Sequence, residues 1–257
     1  MRNLLSDNGF VWFIGVVEDR NDPSQLGRFR VRCFGFHTDD KSQIPTEELP
    51  WAVPLQDVTS AAINGIGRSP TGLVEGSWVV GFFLDGERAQ EPVVMGSIAT
   101  APSEKANTQK GFYDPNGTYP KFINESDVNR RSRGEKNKHK TPNRTIGEPA
   151  DPYNASYPKN QVYESESGHL LEFDDTPNNE RIHVYHKSGT FVEIHPNGDV
   201  VTQHKNGWRS ATGNDKLHVY GNMDIVVDGN VTWTVGGNVT EKITGNLDID
   251  AKRIDLN

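Results

Sequence analysis

Cysteine and apolar residues are both scarce in this sequence. The single cysteine, Cys33, excludes an internal disulfide framework and a four-cysteine zinc site. We interpret it as a buried residue of the alternating strand RFRVRCFGF, in which Phe29, Val31 and Cys33 alternate with three arginines. Hydrophobic residues make up only 33% of the chain, and the mean hydropathy is −0.68. Such values indicate thin or extended architecture, abundant loops, or burial supplied by other subunits.

Long apolar runs and an excess of positive charge are also missing. No stretch approaches the roughly 20 apolar residues that a membrane-spanning helix needs, and the first residues show no cleavable signal pattern. We therefore expect a soluble protein that is made in a cytoplasm. The formal net charge is −8, whereas phosphate contact normally needs a basic surface. The charge thus argues against nucleic acid as a partner.

Patterns that would mark catalysis or metal binding are absent as well. The sequence contains no His-x-His pair, and His183 and His186, three apart in a strand, face opposite sides. We interpret His169, His195 and His204 as surface residues of hairpins. The segment ESESGHLLEFDD holds serine, histidine and aspartate but no nucleophile elbow, and GIGRSPTG lacks the lysine of a phosphate-binding loop. We predict no catalytic residue, no cofactor and no metal site.

What the sequence does contain is β structure with frequent turns. The 25 glycines, 15 prolines and many β-branched residues, with almost no long helical periodicity, predict an all-β fold. Residues 1–101 predict a small barrel or sandwich of short strands, with an OB-fold barrel as one candidate. Residues 102–160 are rich in proline, glycine, asparagine and charge, and they predict an extended linker. Residues 161–212 predict a β-hairpin meander that leads into the octad repeats of residues 213–257.

Basic residues cluster within the predicted linker. Residues 130–144 carry seven lysines or arginines against one glutamate. A solvated linker is favoured over a nucleic-acid tether, because no aromatic residue interleaves the charges. The role of this segment stays open at this point.

The C-terminal region repeats with a period of eight residues. Gly-Asn pairs recur at Gly213, Gly221, Gly229, Gly237 and Gly245, and we interpret these glycines as turn residues. Within each octad, positions three, five and seven are mostly apolar, and positions four, six and eight are mostly polar. This pattern indicates one half-buried strand followed by one tight turn. A column of such strands cannot be stable alone, because its apolar face would stay wet.

Several copies that wind together would cover that face. Three chains form the smallest closed prism, and closure also removes exposed sheet edges. We therefore predict a homotrimer with an intertwined, triple-stranded β-helix, and keep a single-chain solenoid as the alternative. Asp215 and Glu241 break the inward apolar pattern. The predicted trimer core comprises Met223, Ile225, Val227, Val231, Trp233, Val235, Val239, Ile243, Leu247 and Ile249, and Ile254 and Leu256 continue the alternation to the tip.

Several segments resemble a known family. Residues 12–38 (WFIGVVEDRNDPSQLGRFRVRCFGFHT), 44–86 and 111–121 (GFYDPNGTYPK) closely resemble the N-terminal OB-fold domain of the cell-puncturing central spike of T4-like phage baseplates. Residues 164–198, followed by the Gly-Asn octads, resemble the start of the C-terminal β-helix of that family. The layout is more distantly similar to the valine-glycine repeat spikes of type VI secretion systems. In the T4 spike a lysozyme domain separates the two parts, whereas here the interval is the short, proline-rich linker.

The resemblance implies a homotrimeric, membrane-piercing spike at the centre of a contractile-tail baseplate, hence a virion protein. It implies a ring-shaped hub protein at the OB domain, a PAAR-type tip protein at the C-terminus near Leu256, and transient contact with the host outer membrane. Without a lysozyme domain, we expect a mechanical role and no enzyme activity. Two alternatives stay open: a spike that also carries or recruits a peptidoglycan-degrading activity, and a nucleic-acid-binding OB module. A phage tail and a tailocin are both compatible with this resemblance.

Overall fold

The computed structural model describes residues 10–125, 129–135 and 147–255. It consists of two units, Met1–Asn206 and Gly207–Asn257. The regular elements of the described residues are ten β-strands and three short 3-10 turns, which confirms the all-β prediction. No helix among these residues has the length and apolar character that crossing a bilayer would require.

The first five strands close into a barrel. They are β1 (Trp12–Asp19), β2 (Phe29–Cys33), β3 (Trp51–Pro54), β4 (Trp78–Phe83) and β5 (Pro92–Ser97). The order around the barrel is β1-β2-β3-β5-β4, and only β3 and β5 pair in parallel. The 3-10 turns Thr46–Glu48, Ala62–Asn64 and Gly86–Arg88 lie in its connections. A barrel therefore stands at the N-terminal end of the described chain, as the sequence predicts.

Alternation along the strands fills the barrel interior. Phe29, Val31 and Cys33 are buried and belong to one apolar cluster, which confirms the interpretation of RFRVRCFGF. Gly81 in β4 lies so close to the interior that a Cβ there would sit 2.1 Å from the Val93 carbonyl oxygen and 2.6 Å from the Phe13 ring. Only glycine therefore fits at this position of β4.

Irregular chain separates the barrel from the second sheet. The described residues between Ser97 and Asn160 contain no strand, and Lys110 forms only an isolated bridge with Asp40. Aromatic contact attaches this chain to the barrel, since the Phe112 ring stacks on Phe34 with centroids 4.2 Å apart.

The second sheet is an antiparallel meander. Its strands are β6 (Asn160–Glu164), β7 (Leu170–Asp174), β8 (Arg181–Tyr185), β9 (Phe191–Ile194) and β10 (Val200–Gln203). Each strand pairs with the next, so that spatial order follows chain order. This register places Glu172 opposite His183 and His183 opposite Glu193.

The second unit contains no hydrogen-bonded strand among its described residues, 207–255. Its backbone instead bends at each octad glycine, at residues 213, 221, 229, 237 and 245. Between bends the chain forms no ladder with itself. The period of eight is thus a property of the backbone as well as of the sequence.

Candidate assembly faces

The octad side chains have no apolar environment within one chain. Ile225 is 69% exposed and Trp233 is 76% exposed, although burying such side chains releases roughly 1.5–3 kcal/mol each. The two residues that break the pattern are also exposed, and Asp215 pairs with Arg209 at 2.5 Å. Leu256 lies outside the described residues. The other exposed residues of the predicted trimer core are Met223, Val227, Val231, Val235, Val239, Ile243, Leu247 and Ile249, and Ile254 near the tip is exposed too.

The meander has an unusual polarity, because its exposed face is the apolar one. The edge strand β10 and the three central strands carry large hydrophobic side chains on this face, and Val200 is 61% exposed. Monomeric proteins rarely expose a contiguous apolar patch of this kind without using it for contact. The exposed apolar residues are Leu171, Phe173, Ile182, Val184, Val192, Ile194 and Val200.

The opposite face of the meander is charged and buried. Glu172, Arg181 and Glu193 have side chains without solvent exposure. Arg181 Nη1 donates to Glu193 Oε1 at 2.6 Å, and Arg181 Nη2 forms an ion pair with Glu172, 2.7 Å from Oε1. His183 Nδ1 lies 3.3 Å from Glu172 Oε2, and His195 Nε2 lies 3.4 Å from Glu193 Oε2. We call these five residues the ionic ladder.

A segment of the same chain covers the ladder. Residues 129–135 and 147–159, which we call the strap, place Arg131 Nε 3.1 Å from Glu172 Oε2. The Tyr153 ring lies under both guanidinium groups, 4.3 Å from that of Arg131 and 5.1 Å from that of Arg181. Such cation–π contacts strengthen when water is excluded. The strap is therefore attached to the sheet by a buried charge and an aromatic ring.

Backbone groups of the strap complete the attachment. The Tyr153 hydroxyl donates to the Arg131 carbonyl oxygen at 2.7 Å. Asn160 Nδ2 donates to the same carbonyl at 3.1 Å and to Glu172 Oε1 at 2.7 Å. Buried polar groups are costly unless they are hydrogen-bonded, and these contacts satisfy several of them at once.

Electrostatics keeps Glu172 and Arg181 ionised. Burial alone would raise the pKa of Glu172, but the hydrogen bond from His183 and the charges of Arg181 and Arg131 outweigh it and lower that pKa to about 2. For Arg181, burial opposes the charged form, yet Glu172 and Glu193 raise the pKa of the guanidinium. The charges of the two arginines and the carboxylates beside them thus depend on one another.

An exposed ionic joint links the barrel to the meander. Arg20 Nη1 and Nη2 donate to the two carboxylate oxygens of Glu166 at 3.0 and 2.9 Å, and Arg20 Nε lies 3.3 Å from Glu75. The Tyr119 hydroxyl also donates to Glu166, at 2.5 Å. The hydrogen bonds from Arg20 and Tyr119 lower the pKa of Glu166 to about 2.

The histidines occupy places that the sequence predicted only in part. His183 is buried and His186 is exposed, so the two do face opposite sides of the strand. The interpretation of His195 as a surface residue is wrong: it is 6% exposed and lies on the buried face of the sheet, with Nε2 3.4 Å from Glu193 Oε2. His204 is exposed and His169 is half-buried. Among the described residues, no group of three or more His, Cys, Asp or Glu could hold a metal ion.

The serine, histidine and aspartate residues of ESESGHLLEFDD do not assemble into a catalytic arrangement. Ser165 Oγ accepts the backbone N–H of His169 at 3.0 Å, and His169 Nδ1 accepts the backbone N–H of Lys187 at 3.3 Å. Asp174 is buried and accepts the amide of Thr176. These contacts shape turns and do not join a nucleophile to a base.

Sequence reasoning missed Arg131, Glu172, Arg181 and Glu193 as a group. The available signal was polar residues that alternate with aliphatic ones in HLLEFDD, RIHVYH and TFVEIH. That alternation predicts that the two faces of the sheet differ in polarity. It does not predict which of the two faces is covered by another segment of the same chain.

Two family models match this chain, one from the barrel into the meander and one in the octad repeats. A family model described as the Gp5 N-terminal OB domain matches residues 35–183. Another, described as the Gp5 C-terminal repeat, matches residues 221–244 in three copies, which is one copy per eight residues. The first match runs from the barrel into the meander.

Two relatives extend these matches. Protein Gp5 of Vibrio phage KVP40 is 40% identical over 267 residues, which cover 85% of this chain and 63% of the relative. The pre-baseplate central spike protein Gp5 of Enterobacteria phage T4 is 46% identical over 135 residues, which cover 51% of this chain and 23% of the relative. The chain thus spans less than two thirds of the length of either relative.

Proposed function

Because the chain belongs to the Gp5 family, we propose that it forms the structural central spike of a contractile-tail baseplate and acts mechanically when the tail penetrates its host. The T4 relative is named as a pre-baseplate central spike protein, which supports a place in the virion. Penetration of an outer membrane by a stiff, pointed assembly requires no catalytic group.

One observation carries this proposal: the apolar residues of the octads and of one meander face are exposed in the single chain. Two further copies of the chain would bury them. Three octad columns would close into a prism with the alternate apolar positions inside and no free sheet edge. Backbone hydrogen bonds between chains would then supply the strand pairing that the octads of one chain do not form with themselves. These bonds would make the shaft stiff.

The proposed partners rest on the resemblance to the spike family. We propose that a ring-shaped hub protein binds the barrel, that a PAAR-type protein binds the tip beyond Ile254, and that the host outer membrane is a transient contact. The formal net charge of −8 per chain disfavours nucleic acid as a ligand of the barrel.

Light scattering tests the trimer. A mass near three times the chain mass of 28.6 kDa supports it, and a monomer refutes it. Two neighbouring substitutions sharpen the test, because Val235 and Thr234 are both exposed in a single chain. A lone shaft would tolerate Val235→Asp and Thr234→Asp equally. In the prism only Val235→Asp buries a charge, so it alone should abolish the trimer.

The proposed mechanical role also excludes hydrolysis by this chain. The purified protein should leave no cleared band in a peptidoglycan zymogram, at loadings where a lysozyme standard clears the gel. A cleared band that co-migrates with the chain would contradict a purely structural spike and would support the enzyme-bearing alternative.

A further inference from the structure

The meander has two faces that need cover, and two covers compete for them. In the proposed trimer, one face meets other copies of the chain and the opposite face meets the strap. A one-residue slip in register, or a sheet that binds the wrong cover, would exchange the two faces. Something in the sheet must therefore distinguish them.

The charged face can be matched only by the strap. It carries the carboxylates of Glu172, Asp174 and Glu193 beneath its surface, against the single guanidinium of Arg181. The strap supplies a second guanidinium from Arg131, and it also carries Arg130 and Arg133. The apolar face of another copy would supply no cation, so it would leave these carboxylates short of countercharge.

Arg131 contacts the sheet and the strap through different groups. Its guanidinium reaches Glu172 at 3.1 Å while its carbonyl oxygen accepts hydrogen bonds from Tyr153 and Asn160. Arg131 is 2% exposed, whereas Arg130 in the same strap has a side chain that is 43% exposed. Arg131 of the basic segment is thus buried against the sheet, whereas the neighbouring Arg130 is partly exposed.

We infer that the ionic ladder, together with Arg131, selects the assembly face of the meander: it commits the charged face to the strap of the same chain and leaves the apolar face to the other two copies. This inference rests on the proposed trimeric spike. It gives the basic segment at residues 130–133 a role within the protein, as the charged partner of an acidic sheet face.

The test removes the charges and keeps the bulk. In the variant R131M/E172L/R181M/E193L the charged face loses both guanidinium groups and two of its carboxylates, so copies can bind either face. We expect light scattering to show species heavier than the trimer in place of a single mass, and trypsin to cut the strap at Arg130 and Arg133 at least tenfold faster. The control Arg130→Met removes an exposed arginine of the same strap, whose Nε lies 2.9 Å from Glu135 Oε2, and it keeps Glu135 as the partner of Arg133. It should keep the single mass, and its strap should be cut at Arg133 no faster than in the wild type.

A milder variant guards against loss of folding. Arg131→Met alone leaves the sheet residues intact, and it should speed cleavage of the strap, while Arg131→Lys should restore part of the protection. If the fourfold variant forms only the trimer and its strap is cut at the wild-type rate, the inference is wrong. A wild-type monomer would refute the proposed trimer instead, because the trypsin rates report separately on the pairing of strap and ladder.

Discussion

A buried ion pair in the barrel provides a strong test of what holds the N-terminal unit together. Glu18 of β1 and Arg32 of β2 have side chains without solvent exposure, and Arg32 Nε donates to Glu18 Oε1 at 2.7 Å. Glu18 also accepts the Thr46 hydroxyl at 2.9 Å and the Phe112 amide at 2.7 Å. One carboxylate therefore ties two strands, a loop and the chain that follows the barrel.

Replacement of Arg32 by methionine leaves Glu18 buried without a countercharge. Breaking a buried pair in this way costs about 3–5 kcal/mol of unfolding free energy. The carbonyl oxygens of Thr38 and Ile44 lose their donors too, since Arg32 Nη1 and Nη2 each donate to one of them at 2.8 Å. With a urea slope of roughly 2 kcal/mol/M, the unfolding midpoint of the barrel should fall by about 2 M.

Hydrogen exchange of peptides from β1 and β2, measured on the full chain in increasing urea, reports on the barrel itself. The matched control is Arg253→Met, which breaks a pair with an 80% exposed arginine side chain and should leave the midpoint unchanged. The double variant E18M/R32M should recover part of the loss, because no charge is left unpaired. Recovery stays incomplete, since the Phe112 amide then lacks its acceptor, at about 1–3 kcal/mol. If Arg32→Met and Arg253→Met shift the midpoint equally, this reasoning is refuted.

Three further predictions concern single residues. The lowered pKa of Glu172, about 2 against an ordinary 4.5, means that its contribution to stability is full above pH 4.5 and is lost as the pH falls toward 2; unfolding midpoints across this range should flatten in Glu172→Gln. Burial raises the pKa of the Cys33 thiol to about 12, so iodoacetamide at pH 8 should label it in urea and not in the native protein. Gly81→Ala should destabilise the barrel by several kcal/mol in thermal unfolding, whereas Gly96→Ala, with open space at its Cβ, should not.

The barrel strands could be predicted from alternation, but the burial of charged side chains on their other face could not. Phe29, Val31 and Cys33 share a buried face as the period of two requires. Alternation places Arg32 on the opposite, polar face, yet its side chain is fully enclosed. Its partner Glu18 lies on a different strand, and the loop that contains Thr38 and Ile44 wraps over the pair. Such enclosure depends on tertiary contacts that a local pattern does not encode.

The meander shows the same limit more sharply. Its hairpins follow from turn residues and alternation, and the chain forms them where the sequence indicates. The cover of its charged face comes from Arg131, which is 41 residues away from Glu172. Nothing in the spacing of a basic, proline-rich stretch predicts that one of its arginines is buried against a sheet.

The two parts of the proposed shaft need different means of choosing an inner face. In the octads the polar positions, such as Thr232 and Asp248, are exposed in the single chain and can stay in water. The difference in polarity between the two faces of each octad strand is then enough to decide which face turns inward. In the meander the strap buries the second face as well, so exposure to water no longer separates the two. Charge must do so, and the buried ladder at Glu172, Arg181 and Glu193 lies in the sheet that carries a strap.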